Sequence, residues 1–196
     1  MIGDDVVDLG DRDTGVGTRH PRFDARVFAA SERALLATSR EPERLRWILW
    51  AAKESAYKAA RKQAPKTVFS PSAFIVEPQA GGRMTVHMGR HRFRVEIRGD
   101  GDHVHAVAHP GGSVEGRLCA AVAHVDAGAS PSAAARRLAV ARLAPALGVA
   151  PERLAIHRHG RVPTLWIDGA PGAVDLSLSH HGRFVSFAYA LPSRSA

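Results

Sequence analysis

Apolar and polar positions change their period several times along this chain, and those changes mark its elements. Ile2, Val6, Val7 and Leu9 stand among Asp4, Asp5 and Asp8 in a weak alternation that predicts a short strand over Met1 to Leu9. Gly10 to Arg22 has loop chemistry. From Phe28 to Lys62 the period becomes helical. It breaks near Ser39 to Pro42, where Glu41-Pro42-Glu43 places proline and acids in the first turn of a new helix. With Glu54 at zero on a wheel of about 100° per residue, Leu45, Ile48, Leu49, Ala52, Ala56 and Ala59 fall on the opposite side. Trp50, Tyr57, Lys58 and Arg61 cluster around Glu54. The second helix is therefore expected to bury an Ala/Leu/Ile stripe and to present a carboxylate flanked by cations.

Strand-type runs follow over Thr67 to Glu77, Met84 to Met88, His91 to Arg98 and His103 to His109. The last two flank Gly99-Asp100-Gly101-Asp102, and Phe93, Val95 and Ile97 alternate with Arg92, Arg94, Glu96 and Arg98, which predicts an antiparallel meander. Pro110-Gly111-Gly112-Ser113 breaks the composition, and the pattern then begins again. Leu118 to Val125 reads as an apolar strand, and Ser130-Pro131 opens a helix that Gly148 stops. Further strands are expected around Leu154 to His159, Thr164 to Ile167 and Phe184 to Leu191. The expected fold is α+β, one compact unit of two similar halves, residues 1–112 and 113–196.

Composition narrows the function classes. The 196 residues are 45% apolar and 23% charged, ordinary globular material, and 6% aromatic, so the core leans on Ala, Val and Leu. One cysteine, Cys119, excludes an internal disulfide framework and a cysteine-rich zinc module. No stretch approaches the roughly 18 apolar residues of a membrane helix, and Met1 to Asp13 is acidic where a signal peptide is basic and then apolar. A cytoplasmic protein is expected. The net charge of +8, from 27 Lys and Arg against 19 Asp and Glu, argues for an anionic partner.

Three segments carry groups with chemical potential, and each also has a plain reading. Glu54 with Lys58 is either a reactive carboxylate beside a cation or an ordinary i,i+4 pair on a solvated face. Gly3-Asp4-Asp5-Val6-Val7-Asp8 sets carboxylates at a strand end, as suits a hard cation such as Mg²⁺, or is simply a charged terminus. Ser177-Leu178-Ser179-His180-His181 offers phosphate donors, or a buried histidine pair.

Together the three resemble the 4′-phosphopantetheinyl transferase superfamily, which is marked by Gly-x-Asp on an early strand, Trp-x-x-Lys-Glu-(Ala/Ser)-x-x-Lys on a helix and Ser-x-Ser-His before a strand. Here they stand as Gly3-Asp4-Asp5, Trp50-Ala51-Ala52-Lys53-Glu54-Ser55-Ala56-Tyr57-Lys58 and Ser177-Leu178-Ser179-His180, with Phe28-Ala29-Ala30-Ser31-Glu32 similar to the family's Phe-x-x-x-Glu. The order is that of a Sfp-like pseudo-dimer with its halves exchanged, and the motifs are shared with holo-acyl-carrier-protein synthases. The resemblance implies transfer of the phosphopantetheine arm of coenzyme A to a serine of an acidic acyl or peptidyl carrier protein, with Mg²⁺ or Mn²⁺. It implies Asp5 and Glu54 as metal ligands, with Asp8 as a further candidate, and Glu54 as the base that takes the serine proton. Lys58 would neutralise the departing bisphosphate, Lys53 would contact phosphate, Ser179 and His180 would bind coenzyme A phosphates, and Arg161 its 3′-phosphate. It also implies a monomeric pseudo-dimer that needs neither nucleic acid nor membrane.

The chain departs from the family pattern at Val7, where a second acid is usual, at Asp4 in place of an aliphatic residue, and at His181 where serine is common. Rival readings are an impaired relative that only binds coenzyme A or a carrier, and a basic nucleic-acid-binding module built on Arg90-His91-Arg92-Phe93-Arg94. A third rival is a zinc hydrolase using His103, His105 and His109. No Gly-x-Ser-x-Gly elbow is present.

Overall fold

A computed structural model describes residues 1–110, 117–126 and 128–191, so the expected boundary at 112/113 lies outside the described residues. The first strand, β1 (Gly3–Asp8), is followed by α1 (Phe23–Val27), α2 (Ala30–Thr38) and α3 (Pro42–Gln63). Four more strands come next, β2 (Ile75–Pro78), β3 (Arg83–Met88), β4 (His91–Arg98) and β5 (His103–Pro110). They form one antiparallel sheet in the order β1-β5-β4-β3-β2. Phe93 and Val95, the apolar phase of β4, join Leu49, Ala52, Ala56 and Ala59 of α3 in one core. Small alanines on α3 let the helix lie close against the sheet, and Pro42 at its first turn sets its start.

The remaining chain builds β6 (Arg117–His124), α4 (Pro131–Leu147), β7 (Leu154–His159), β8 (Val162–Ile167), β9 (Ala170–Pro171), β10 (Asp175–His181) and β11 (Phe184–Leu191). Its two sheets run β10-β11-β6 and β7-β8-β9. Ser130 caps α4 by accepting the Ala133 amide, and Gly148 ends it in the left-handed region at φ 68°. Each of the three sheets draws its strands from one side of residues 111–116 only. A small apolar cluster, Ile2, Val107 and Ala188, joins the two sides.

Several expectations need correction. Of the Thr67 to Glu77 run only the end, from Ile75, is strand; Pro71 turns the preceding residues into a short 3₁₀ segment. The Ser177 to His180 motif precedes the expected strand, β11, but is itself strand, within β10. Tyr57 is 9% exposed rather than on a cationic surface, since its ring packs against Phe69 and Phe74. No helix among the described residues is long and apolar enough to cross a membrane.

Candidate active site

The strand β1 is an edge of its sheet, and edge amides must find acceptors if they are covered. One side of β1 pairs with β5. On the other side the amides of Ile2, Asp4, Val6 and Asp8 donate to side chains of β10 rather than to its carbonyls. The acceptors are Asp175 Oδ2 at 2.5 Å, Ser177 Oγ at 2.9 Å, Ser179 Oγ at 3.4 Å and His181 Nδ1 at 3.1 Å. Each strand advances two residues per bond, so the alternate residues of β10 that face β1 act as its missing partner strand. The Ser-x-Ser-His segment thereby joins the two sides of the molecule. The Asp8 amide bond also makes His181 Nδ1 an acceptor, which leaves the ring proton on Nε2.

On its remaining face β1 meets α3. A Cβ on Gly3 would lie 2.1 Å from the Ser55 carbonyl oxygen and 2.7 Å from the Ala59 amide nitrogen, so only glycine permits this approach. The approach sets Asp5 beside Lys58. Asp5 Oδ1 accepts from Lys58 Nζ at 2.9 Å and from Ser179 Oγ at 2.8 Å. Lys58 Nζ donates also to the Asp4 carbonyl at 2.8 Å and to Ser179 Oγ at 3.0 Å. Ser179 donates once and accepts twice, from Lys58 and from the Val6 amide, which uses its whole hydrogen-bonding capacity. Burial alone would pull the Lys58 ammonium down, but Asp5, Asp4 and Glu54 carry it above its ordinary value.

Glu54, one helical turn before Lys58, has no hydrogen-bond or ion-pair partner among the described residues. Burial first, and then the Asp5 carboxylate, push its carboxyl up to about 7, against the pull of Lys58 and Arg61. Burial and the Lys58 charge hold the His180 imidazolium below its ordinary value, so that ring is neutral at pH 7. Asp5, Glu54, Lys58, Ser179 and His180 line one cavity of about 330 Å³, walled by Trp47 and Trp50. Trp47 is fixed by its Nε1 bond to the Thr14 carbonyl, and Trp50 by its packing on Phe23 and Phe69.

Arg161 stands elsewhere, in a neighbouring cleft of about 700 Å³ with Arg61, Lys62 and Asp175. Its carbonyl accepts from Arg61, and Lys62 bonds Asp175. The two hollows are linked by α3, because Lys62 follows Lys58 by one turn.

Two expected site residues are excluded by packing. Lys53 is fully buried, its ammonium held by the Glu32 carboxylate and by the carbonyls of Pro71 and Phe74, so it presents no charge to a phosphate. Glu32 completes that clasp by accepting the Ala29 and Val76 amides, which ties α2, α3 and β2 together. Asp8 is not positioned as a metal ligand. Its buried carboxylate takes both arms of the Arg183 guanidinium and the amides of Arg183 and Gly10, which hold it well below the usual carboxylate range. It also points away from Asp5, as strand alternation requires.

Sequence reasoning missed Trp47, Lys62 and the part played by Asp4. Trp47 and Lys62 lie seven residues before and eight after Glu54, on the same side of the helix, a spacing that could have flagged both. Asp4 is wholly buried, accepting from Ser186 Oγ at 2.6 Å with His105 Nε2 at 3.3 Å. Burial would raise its carboxyl, but His105, Lys58 and Ser186 bring it below its ordinary value. His105 is thus committed to Asp4, and His103 packs against Phe184. Among the described residues no group of three or more His, Cys, Asp or Glu is arranged to hold a metal ion.

The profile of the 4′-phosphopantetheinyl transferase superfamily matches residues 1–108, more than half of the chain. The chain belongs to that superfamily. The match spans β1 through most of β5, hence the strand and helix that hold Asp5, Glu54 and Lys58, whereas Ser179 and His180 lie beyond it. A solved structure, the holo-[acyl-carrier-protein] synthase (AcpS) of Thermotoga maritima, is similar over 87% of this chain and 83% of that one, at 14% identity and a TM-score of 0.44. No curated protein matches the chain.

Proposed function

We propose that this member of the superfamily moves the 4′-phosphopantetheine arm of coenzyme A to a serine of an acidic apo carrier protein, releasing adenosine 3′,5′-bisphosphate. The observation that carries the reading is the single cavity in which Asp5, Glu54 and Lys58 of one side of the chain meet Ser179 and His180 of the other. Such a transfer leaves the protein three tasks: to position, to neutralise charge and to remove the proton of the attacking hydroxyl.

Glu54 suits the last task. Without a cation beside it this carboxyl titrates near 7, basic enough to accept a proton; when it also ligates a cation, it would take the serine proton through a bound water. Lys58 brings a full positive charge to the floor of the cavity, where it would stabilise the bisphosphate as it leaves. Neutral His180 supplies a polar contact for the diphosphate, while the Ser179 hydroxyl, spent on Asp5, Lys58 and the Val6 amide, would reach it only if Lys58 or Asp5 let go. The cleft of Arg61, Lys62 and Arg161 would take the nucleotide end, since its cations and its apolar wall of Val162, Pro163 and Leu176 match a phosphate and a purine.

Asp5 and Glu54 offer two carboxylates, a hard oxygen set that fits Mg²⁺ or Mn²⁺ when water and substrate phosphate fill the other positions. Bound there, the cation would neutralise diphosphate charge. Incubation with coenzyme A, divalent metal and a panel of apo carriers from fatty-acid, polyketide and peptide systems, read by intact mass, tests the reading. Gain of the phosphopantetheine arm on a carrier serine is expected. Failure with every carrier and metal would refute transfer, and retained coenzyme A affinity would then mark an impaired binding protein.

A further inference from the structure

The Lys58 ammonium has three protons, and all three are spent inside the site, on the Asp4 carbonyl, Asp5 Oδ1 and Ser179 Oγ. Its neighbour Glu54 receives none of them. One internal cation is therefore shared unequally between two carboxylates: Asp5 is neutralised by direct contact at 2.9 Å, and Glu54 is not. The Lys58 side chain is 25% exposed at the cavity, and its flexible stem can carry the ammonium toward an arriving anion.

A divalent ion that uses both carboxylates must approach Asp5 to about 2.0–2.1 Å, the distance Mg²⁺ demands of its oxygen ligands. Lys58 already holds one oxygen of that carboxylate, Oδ1, so the ion must take the other beside an ammonium that the same carboxylate neutralises. With Asp5 and Glu54 ionised, the three groups sum to −1; a divalent ion added beside an unmoved Lys58 makes the cluster +1, with two cations competing for the Asp5 carboxylate. A diphosphate changes this sum, because it brings at least two negative charges and acceptors for the displaced ammonium.

We infer that Lys58 is a built-in competitor for the divalent cation at Asp5, one that gives way when a diphosphate takes its ammonium. Metal and coenzyme A then bind cooperatively, each weakly alone and tightly together. Linkage makes the effect reciprocal: whatever factor coenzyme A adds to metal affinity, metal adds to coenzyme A affinity. This inference rests on the reading of Asp5 and Glu54 as the cation site, and it goes beyond that reading by assigning Lys58 a role before any bond is made or broken.

The test is equilibrium binding of Mn²⁺, followed by the spectrum of the free ion, to wild type, Lys58→Met, Lys58→Gln and Lys58→Arg, each with and without coenzyme A. Without coenzyme A, Lys58→Met and Lys58→Gln should bind Mn²⁺ about tenfold or more tightly than wild type, while Lys58→Arg, which keeps the charge, stays weak. Coenzyme A should tighten Mn²⁺ binding to wild type by roughly 5–150-fold, the usual range of site coupling, and by a clearly smaller factor in the two neutral variants, where phosphate ligation remains but there is no ammonium to release. The Gln variant, which keeps a hydrogen-bond donor for Asp5, guards against misfolding of the Met variant, and circular dichroism verifies both. If wild type binds Mn²⁺ and the folded neutral variants bind it equally or less well, the competition is wrong and the metal site stands. If no form binds Mn²⁺ at any coenzyme A concentration, the metal site itself is wrong and the competition falls with it.

Discussion

Replacing Glu54 by Gln separates what the residue costs the fold from what it does. The carboxyl titrates near 7 in the folded protein against 4.5 as its ordinary value, chiefly because it is buried and faces Asp5. Between those limits the folded chain holds a proton that the unfolded chain has lost, so the Glu54 contribution falls as pH rises through about 4.5 to 7 and stays lost above it. The full difference corresponds to about 3 kcal/mol, and solvent at the cavity mouth reduces what is measurable to about 1–2 kcal/mol. Glutamine keeps the shape and carries no charge, so Glu54→Gln should be the more stable protein at pH 8 by that amount. For a chain of this size the gain is a melting temperature higher by about 3–6 °C. The assay is thermal and urea unfolding of both proteins at pH 5 and pH 8 in the presence of a chelator. The advantage should be small at pH 5 and full at pH 8. In the same variant, carrier modification should fall by roughly 10²–10⁴-fold, the usual worth of a general base. Equal stability at pH 8, or an advantage confined to pH 5, would refute the electrostatic account; near-normal transfer would remove Glu54 from the chemistry.

Two further substitutions probe the framework around the site. Gly3→Ala should destabilise the fold by about 3 kcal/mol or more, since its methyl group meets backbone atoms of α3 that cannot rotate away; urea unfolding checks it, and a loss below about 1 kcal/mol would show that β1 can shift without harm. Lys53→Met should cost about 3–5 kcal/mol, because it strands the buried Glu32 carboxylate. Double replacement with Glu32→Gln should recover part of that loss in the same unfolding assay, and no recovery would mean that the packing of the lysine stem, not its charge, holds α2 to α3.

Much of the architecture is legible along the chain because local periods are set by backbone geometry. The alternation of Phe93, Val95 and Ile97, the proline at the start of α3 and the glycine at the end of α4 each mark an element without knowledge of its neighbours. The grouping of Asp5, Glu54 and Lys58 with the Ser179-His180 segment was expected only from the family resemblance of three short motifs, each of which sits on one element. Which members of those motifs reach the cavity was not legible in them. Lys53 and Lys58 belong to the same helical run, yet five residues turn the helix by roughly 140°, and packing sends one into a buried clasp with Glu32 and the other to Asp5. Asp8 looked available beside Asp5 until Arg183, far along the chain, was seen to claim it. The seam between β1 and β10 was hidden for the same reason, because its four bonds link residues 173 positions apart. Such contacts depend on burying both strands together and on satisfying an edge that only the folded chain covers, and no short stretch of sequence contains both sides of that condition.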